Sequence, residues 1–135
     1  MAFCIHVSFY YQESRIKYLE KIVETAKSYP VSSVDIFIHT NNPDFEWNKE
    51  KLEKCNVYIV FHDMSKEYGH YLTWKCRPMI KEQRHQYEYY MYIEDDILVP
   101  ESAFLYWLKY KDLCMSNNYN IGFVRIDTDS QNNEY

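Results

Sequence analysis

The sequence is short of glycine and proline and lacks closely spaced cysteines. Two glycines among 135 residues disfavour a glycine-rich phosphate loop and a GxGxxG dinucleotide fingerprint. The four cysteines lie far apart, with no CxxC pair of the kind that structural zinc sites commonly use. We therefore expect each cysteine to be a small buried side chain in a protein from a reducing compartment.

The sequence also lacks a basic stripe, a signal peptide and a long apolar run. Its formal net charge is -5, and no cluster of lysine and arginine is present to neutralise the phosphates of a nucleic acid. The amino terminus has no basic region, and no stretch approaches the roughly 20 apolar residues of a membrane span. We expect a soluble or cytoplasmic protein that binds no nucleic acid and has no membrane span in this chain.

What the sequence does have is an alternation of strand and helix patterns. With 47% hydrophobic residues it should fold as a single domain over residues 1–135. Apolar and β-branched runs predict five strands, at residues 3–9, 34–39, 56–61, 89–93 and 121–126. Helical spacing predicts helices at residues 13–28, 45–54 and 71–86 and one that opens at Pro100 and Glu101, with Pro78 kinking the third or lying in its first turn.

This order predicts an α/β fold. The mostly parallel sheet should be doubly wound and Rossmann-like, with helices on both faces. Residues 89–93 are apolar or aromatic throughout, as a strand covered on both faces requires. Ligands of such sheets bind beyond the carboxyl ends of the strands, near the point where the strand order reverses.

Three successive carboxylates, Glu94, Asp95 and Asp96, follow the predicted fourth strand. Like charges this close repel, and each raises the pKa of the others unless a cation or a network of donors neutralises them. Mg²⁺ and Mn²⁺ bind through one or two carboxylates together with substrate phosphates. The cluster is either a solvated acidic turn or a site for a divalent ion, and its position favours the ion.

Residues 92–100, YIEDDILVP, resemble the DXD-type motif of GT-A glycosyltransferases in its Glu-Asp-Asp form. Residues 70–77, HYLTWKCR, and 123–126, FVRI, resemble weaker blocks of such proteins. The resemblance implies that Asp96 binds Mn²⁺ or Mg²⁺ and that Glu94 assists the metal or hydrogen-bonds the ribose. It implies that Asp95 contacts the ribose or the donor sugar, and that the metal bridges the diphosphate of a UDP- or GDP-sugar.

Other positions have a functional and a structural interpretation. Ser8 could bond the nucleotide and Tyr10 could stack on its base, or both could belong to the core and a helix cap. Asp63 could accept a hydrogen bond from a uracil N–H, although a turn is the favoured interpretation. Arg77 could pair with a diphosphate or lie at a helix end. Arg125 could pair with the acidic cluster as structural support.

The resemblance implies transfer of a sugar from a nucleotide donor to a glycan or another hydroxyl acceptor. Only 39 residues follow Asp96, so the acceptor-binding half of the family is expected to be missing or minimal, and no catalytic base is identified. Two alternatives stay open. One is another metal-dependent nucleotide enzyme, such as a nucleotidyltransferase, and the other is a non-catalytic nucleotide-sugar-binding module.

Overall fold

A computed structural model describes residues 1–50, 53–129 and 131, and it divides the chain into two compact units, Met1–Val99 and Pro100–Tyr135. The first unit contains a four-stranded sheet in which every pairing is parallel. Its strands are β1 (Ala2–Phe9), β2 (Ser33–Thr40), β3 (Cys55–Phe61) and β4 (Tyr89–Glu94), in the spatial order β3-β2-β1-β4. The predicted α/β class and the first four predicted strands are thereby confirmed.

Three helices of this unit lie in the connections between strands. They are α1 (Ile16–Ala26), α2 (Leu72–Lys75) and α3 (Arg77–Gln83). Short 3₁₀ turns at Glu13–Arg15 and Gly69–Tyr71 precede α1 and α2. The helix predicted over residues 71–86 is therefore divided, and Pro78 lies in the first turn of α3, where its missing N–H leaves no helical bond unmade.

The connections cover both faces of the sheet. Residues of β1 alternate, so Phe3 and Phe9 share one face while Cys4 and His6 share the other. Phe3 packs on Tyr29, just beyond α1, and Phe9 packs on Phe45. On the opposite face, the Gln83 side chain of α3 lies within hydrogen-bonding distance of His6. Every residue from Phe3 to Phe9 is buried, which is why β1 forms the middle of the core.

β4 lies at one edge of this sheet, and the prediction that it is covered like a central strand is wrong. Its only strand partner among the described residues is β1. Tyr89, Tyr90 and Met91 are half-buried and Tyr92 is exposed. The aromatic side chains that suggested complete burial cover an edge strand here, and the hydroxyls of Tyr90 and Tyr92 are hydrogen-bonded to Gln83 and Ser8.

The short helix predicted over residues 45–54 is absent from the described part of that segment. Phe45 is buried, and its ring contacts Phe9 and Tyr11. A single aromatic anchor fixes the chain without requiring helical periodicity, and the charged residues that follow supply no second apolar contact at helical spacing. Lys51 and Leu52 lie outside the described residues.

The second unit begins with α4 (Glu101–Ser116), which confirms the last predicted helix. Two residues beyond the helix, Asn118 has a positive φ of 61°, which lets the Tyr119 N–H donate to the Cys114 carbonyl. Phe104 of this helix is buried, whereas Leu105 and Met115 are exposed.

The prediction of a fifth strand at residues 121–126 is wrong. That segment has no strand pairing, and Phe123, Val124 and Ile126 are all exposed. A lone extended segment leaves its backbone groups to water, so apolar composition alone does not create a strand without a partner.

Three of the four cysteines are buried as predicted, and Cys114 is half-buried. Across the described part of the chain, the helices are all too short or too polar to cross a lipid bilayer.

Candidate functional site

The carboxyl ends of β1 and β4 lie side by side. Ser8 pairs with Glu94 in the sheet register, and the Asp95 N–H donates to the Ser8 carbonyl at 3.0 Å. From β1 the chain runs outward through β2 and β3, then returns across the sheet to form β4 on the other side of β1. The strand order therefore reverses between β1 and β4, which is where doubly wound sheets bind their ligands.

The three carboxylates after β4 have different surroundings. Asp95 is buried, with 4% of its surface exposed, whereas Glu94 and Asp96 are exposed. Arg15 spans the last two, with Nε 2.8 Å from Asp95 Oδ2 and Nη2 3.3 Å from Asp96 Oδ2. Despite its proximity to Arg15, Asp95 Oδ2 accepts no hydrogen bond with acceptable geometry. This oxygen is therefore a buried hydrogen-bond acceptor that interacts with Arg15 through charge alone.

Burial is the largest influence on the Asp95 carboxyl and raises its pKa to about 6. Arg15 opposes this rise, while the neighbouring charges of Asp96 and Glu94 add to it. A short ion pair would ordinarily lower the pKa of an aspartate, so the cost of removing this carboxylate from water exceeds the attraction of the guanidinium. A buried charge kept at such cost beside a ligand crevice is a frequent feature of functional sites.

In this structure the buried Asp95 carboxylate holds Arg15 and the turn after β4. Its predicted contact with the ribose or the donor sugar stays a prediction.

Arg15 itself was missed by the sequence reasoning, although a signal existed. It lies just before the first turn of α1, where the helix dipole disfavours a cation, so an arginine there indicates a carboxylate partner.

Glu94 and Asp96 are the carboxylates that fit a divalent ion. Both offer the oxygen ligands that Mg²⁺ and Mn²⁺ prefer, and the 3.3 Å contact between Arg15 and Asp96 is an exposed pair of low energy. Within the described ranges, no three His, Cys, Asp or Glu side chains converge as a ready-made metal site. An ion would therefore complete its shell with water and ligand phosphates, as Mg²⁺ commonly does.

Ser8 and Asp63 already have protein partners. The Ser8 hydroxyl is buried and lies 3.1 Å from the Tyr92 hydroxyl, and its contact with a nucleotide stays a prediction. Asp63 is exposed after β3 and accepts the Ser65 N–H at 3.0 Å, and this hydrogen bonding lowers its pKa. Asp63 thus forms the turn that the sequence favoured, and its strand lies three strand spacings, about 14 Å, from β4.

Tyr10 is the predicted base-stacking residue, and 48% of its surface is exposed. Its ring lies against Gly69 so closely that a Cβ built there would be 2.8 Å from Tyr10 Cε2. Only glycine allows this contact without movement of the ring. The 3₁₀ turn therefore backs one side of Tyr10, at the carboxyl end of β1.

Arg77 opens α3 and its guanidinium stacks on the Trp74 ring, 3.6 Å from the centroid. Both side chains are exposed, and the stacking holds the planar group while its donors stay free to bind an anion. Lys75, by contrast, is paired with Glu67 at 2.5 Å. His70 stacks between Tyr68 and Tyr71, in line with an ordinary loop histidine.

Arg125 belongs to the second unit, and its pairing with the acidic cluster of the first unit stays a prediction. Within the second unit its Nε lies 2.7 Å from Asp127 Oδ1, and both side chains are exposed. This pair is local and solvated, so it contributes little energy.

Two surface cavities lie away from the carboxyl edge. One of about 280 Å³ is lined by Trp47 and residues 55–58, and the other, of about 460 Å³, by Pro78 and charged side chains in and just after α3. Neither contains a candidate residue, and both are open to solvent, unlike the pockets that enclose small molecules. The chemistry of the carboxyl edge therefore outweighs cavity size in locating the site.

Comparison with protein-family models, curated proteins and solved structures finds no match to this chain.

Proposed function

We propose that this chain binds a nucleoside diphosphate sugar through a divalent ion and belongs to a GT-A-type glycosyltransferase. The observation that carries the proposal is the pair of exposed carboxylates, Glu94 and Asp96, at the reversal of strand order beside β1. Exposed acids at that point are where a metal-held pyrophosphate would lie. The resemblance of residues 92–100 to the Glu-Asp-Asp motif supports the same assignment.

Each side chain at this edge has a definable task in the proposal. Asp96 binds the ion, and Glu94 either shares it or accepts a hydrogen bond from the ribose. When bound, Mn²⁺ or Mg²⁺ neutralises the charge that develops on the leaving diphosphate. Arg77 offers a second positive charge to the phosphates, and Tyr10 offers an aromatic face to the base. The acceptor, a glycan or another hydroxyl compound, is outside what these residues define.

One observation favours a second candidate, a non-catalytic nucleotide-sugar-binding module. Arg15 contacts both Asp95 and Asp96, so a protein cation already neutralises part of the acidic cluster. A binding module needs no further chemistry at this point. Transfer, by contrast, requires that Asp96 leave its 3.3 Å contact with Arg15 and turn to the ion.

Donor hydrolysis separates these functions, because many transferases slowly transfer a sugar to water. With Mn²⁺ and a panel of UDP- and GDP-sugars, a transferase releases the free nucleoside diphosphate. The Asp96→Asn variant should lose this release, while Asp112→Asn, at an exposed acid of α4, should retain it. Release of pyrophosphate from nucleoside triphosphates would instead identify a nucleotidyltransferase, and binding without turnover would identify the module.

The contact between Gly69 and Tyr10 yields a prediction about nucleotide binding. Gly69→Ala should force the Tyr10 ring from its position, because the new Cβ would lie 2.8 Å from Cε2. The ring is half-exposed and can move into solvent, so the free energy of unfolding should change by less than about 1 kcal/mol. Affinity for UDP, measured by calorimetry with Mn²⁺, should nevertheless fall about tenfold as stacking is lost.

Gly122→Ala is the matched control. No atom lies within 4 Å of a Cβ built at Gly122, so this variant should bind UDP as the wild type does. Unchanged affinity in Gly69→Ala would remove Tyr10 from the nucleotide site. Equal losses in both glycine variants would point to a general effect of the added methyl group.

A further inference from the structure

Three histidines form a continuous chain on one face of the sheet. His6 in β1 and His39 in β2 are both completely buried, and His62 follows the end of β3. His6 Nδ1 lies 2.9 Å from His39 Nε2, and His39 Nδ1 lies 2.8 Å from His62 Nε2. The rings stack with centroids 5.2 and 5.1 Å apart. None of these side chains has a task in the proposed nucleotide site.

At the inner end of the chain, the contact with Gln83 determines which nitrogen of His6 donates its hydrogen bond. Gln83 Oε1 accepts from the Cys4 thiol at 3.6 Å and lies 3.1 Å from His6 Nε2, while Cys4 Sγ lies 3.2 Å from the same nitrogen. Burial raises the pKa of the Cys4 thiol to about 12, so the thiol keeps its proton. With the Gln83 amide in this orientation its oxygen can only accept, so His6 donates from Nε2.

The same reasoning passes outward along the chain. A neutral imidazole has one N–H, so a His6 ring that donates from Nε2 must accept at Nδ1. His39 therefore donates from its Nε2 and accepts at Nδ1, and His62 donates from its Nε2 in turn. All three rings are assigned one tautomer, and the Nδ1 lone pair of His62 is the outer end of the chain.

Only His62, at the outer end of this chain, can take up an additional proton without breaking a hydrogen bond. The inner Nδ1 atoms of His6 and His39 already accept hydrogen bonds, whereas His62 is half-buried and in contact with solvent. A proton on His62 creates a charge that is partly removed from water and that faces the ammonium group of Lys75. Both penalties are relieved when the His62 ring leaves the sheet for solvent.

We propose that the His6–His39–His62 chain is an acid-operated latch, in which neutral His62 holds the segment after β3 to the sheet and protonated His62 releases it. When the latch is closed, the backbone N–H of His62 donates to the Thr40 carbonyl at 2.8 Å. The segment leads to Gly69, on which Tyr10 rests, so release also loosens that ring. The latch itself does not depend on the proposed nucleotide-sugar chemistry.

Few other groups near the chain change charge in mild acid. Titratable or charged side chains on this sheet face are Cys4, Asp35, Tyr58, Tyr87, Tyr90, Tyr92 and Glu94. Those on α2 and α3 are Lys75, Cys76, Arg77, Lys81 and Glu82, and Lys75 is itself paired with Glu67. Burial raises the pKa of both thiols, and Asp35 accepts hydrogen bonds from Asn56 at 2.8 Å and Tyr87 at 2.6 Å. Lys75 is therefore the charge that acts on His62 directly.

The sign of the pH dependence follows from the direction of the shifts. Burial lowers the pKa of His6, His39 and His62 below the ordinary value of 6.5, and that of His39 falls to about 3. The released or unfolded state therefore binds protons more readily than the closed state. The latch is closed above pH 6.5, and the ratio of closed to released protein falls up to tenfold per pH unit as the pH drops below that value.

Nuclear magnetic resonance on protein with ¹⁵N-labelled histidine tests the chain directly. His6, His39 and His62 should all show the Nε2–H tautomer at pH 8 and titrate below the ordinary value of 6.5. An Nδ1–H tautomer in any of the three would overturn the proposal. So would a His62 midpoint at or above 6.5.

Amide hydrogen exchange, corrected for the intrinsic effect of pH, tests release. Between pH 8 and pH 5 the protection of the His62 amide should fall at least tenfold more than that of Ile36 in β2. His62→Gln keeps an N–H donor but cannot be protonated, so it should abolish this difference. Equal loss of protection at both amides would show global unfolding and contradict a latch, and the wild-type measurement decides this even if the variant does not fold.

Discussion

Asp95→Asn is expected to stabilise the protein by about 2 kcal/mol at pH 8 and to change its stability little at pH 4. Burial raises the pKa of Asp95 to about 6 in the folded state, above the ordinary 3.8. The stability that this group contributes is thus fully present below pH 3.8 and is lost as the pH rises through 6. Two pKa units correspond to about 3 kcal/mol, from which the loss of a partner for Arg15 subtracts.

Urea unfolding of the wild type and the variant at the two pH values measures this difference. Asp112→Asn is the control. Asp112 is exposed on α4, so this substitution should change the free energy of unfolding little at either pH. A variant that is less stable than the wild type at pH 8 would mean that the Arg15–Asp95 pair is net stabilising. In that case the Asp95 carboxylate would contribute to stability, and its presence would need no functional explanation.

Asp96→Ala is expected to weaken Mn²⁺-dependent binding of UDP at least about 100-fold. Removal of an outer partner of a metal ligand typically costs 10- to 100-fold in affinity, and loss of the ligand itself should cost no less. The fold should tolerate the change, because the Asp96 side chain is 46% exposed and its only ion pair with a described residue is the 3.3 Å contact with Arg15. Isothermal titration calorimetry of UDP with saturating Mn²⁺ gives the affinity.

Two comparison variants make this measurement specific. Asp112→Ala removes an equally acidic, exposed side chain from α4 and should leave the affinity unchanged. Asp95→Asn should have a smaller effect than Asp96→Ala, because the buried carboxylate holds Arg15 and does not face the ligand. If Asp96→Ala binds UDP as the wild type does, Asp96 is not a metal ligand.

The four parallel strands could be predicted because their patterns are local and strong. β1 and β2 consist of apolar and β-branched residues, and the polar segments around them mark where each strand ends. The segment at 121–126 carries the same kind of pattern yet forms no strand. Whether an apolar run becomes a strand depends on a partner edge, which composition does not reveal.

Helix boundaries were less predictable because tertiary contacts override spacing. Phe45 is fixed by Phe9 and Tyr11, so the segment after it follows those rings and not a helical period. The long helix predicted over residues 71–86 is interrupted at Cys76, because the following α3 starts anew around Pro78.

The candidate site was predictable only in part. The position of Glu94 and Asp96 at a strand end follows from the sequence, because a strand and its polar terminus are adjacent in the chain. The partner of Asp95 is Arg15, which lies 80 positions away and depends on how β1 and β4 pair. The histidine chain also depends on the strand register. His6 and His39 lie within β1 and β2, and His62 follows β3.

Calorimetric titration of UDP into the wild-type protein, with Mn²⁺ and then with EDTA, tests the central claim most directly. A pyrophosphate held through an ion at Asp96 and Glu94 predicts saturable binding with Mn²⁺ and loss of that binding when EDTA removes the metal. GDP in parallel identifies the preferred base. Equal binding of the nucleotide with and without Mn²⁺, or no binding of either nucleotide in its presence, would contradict the account.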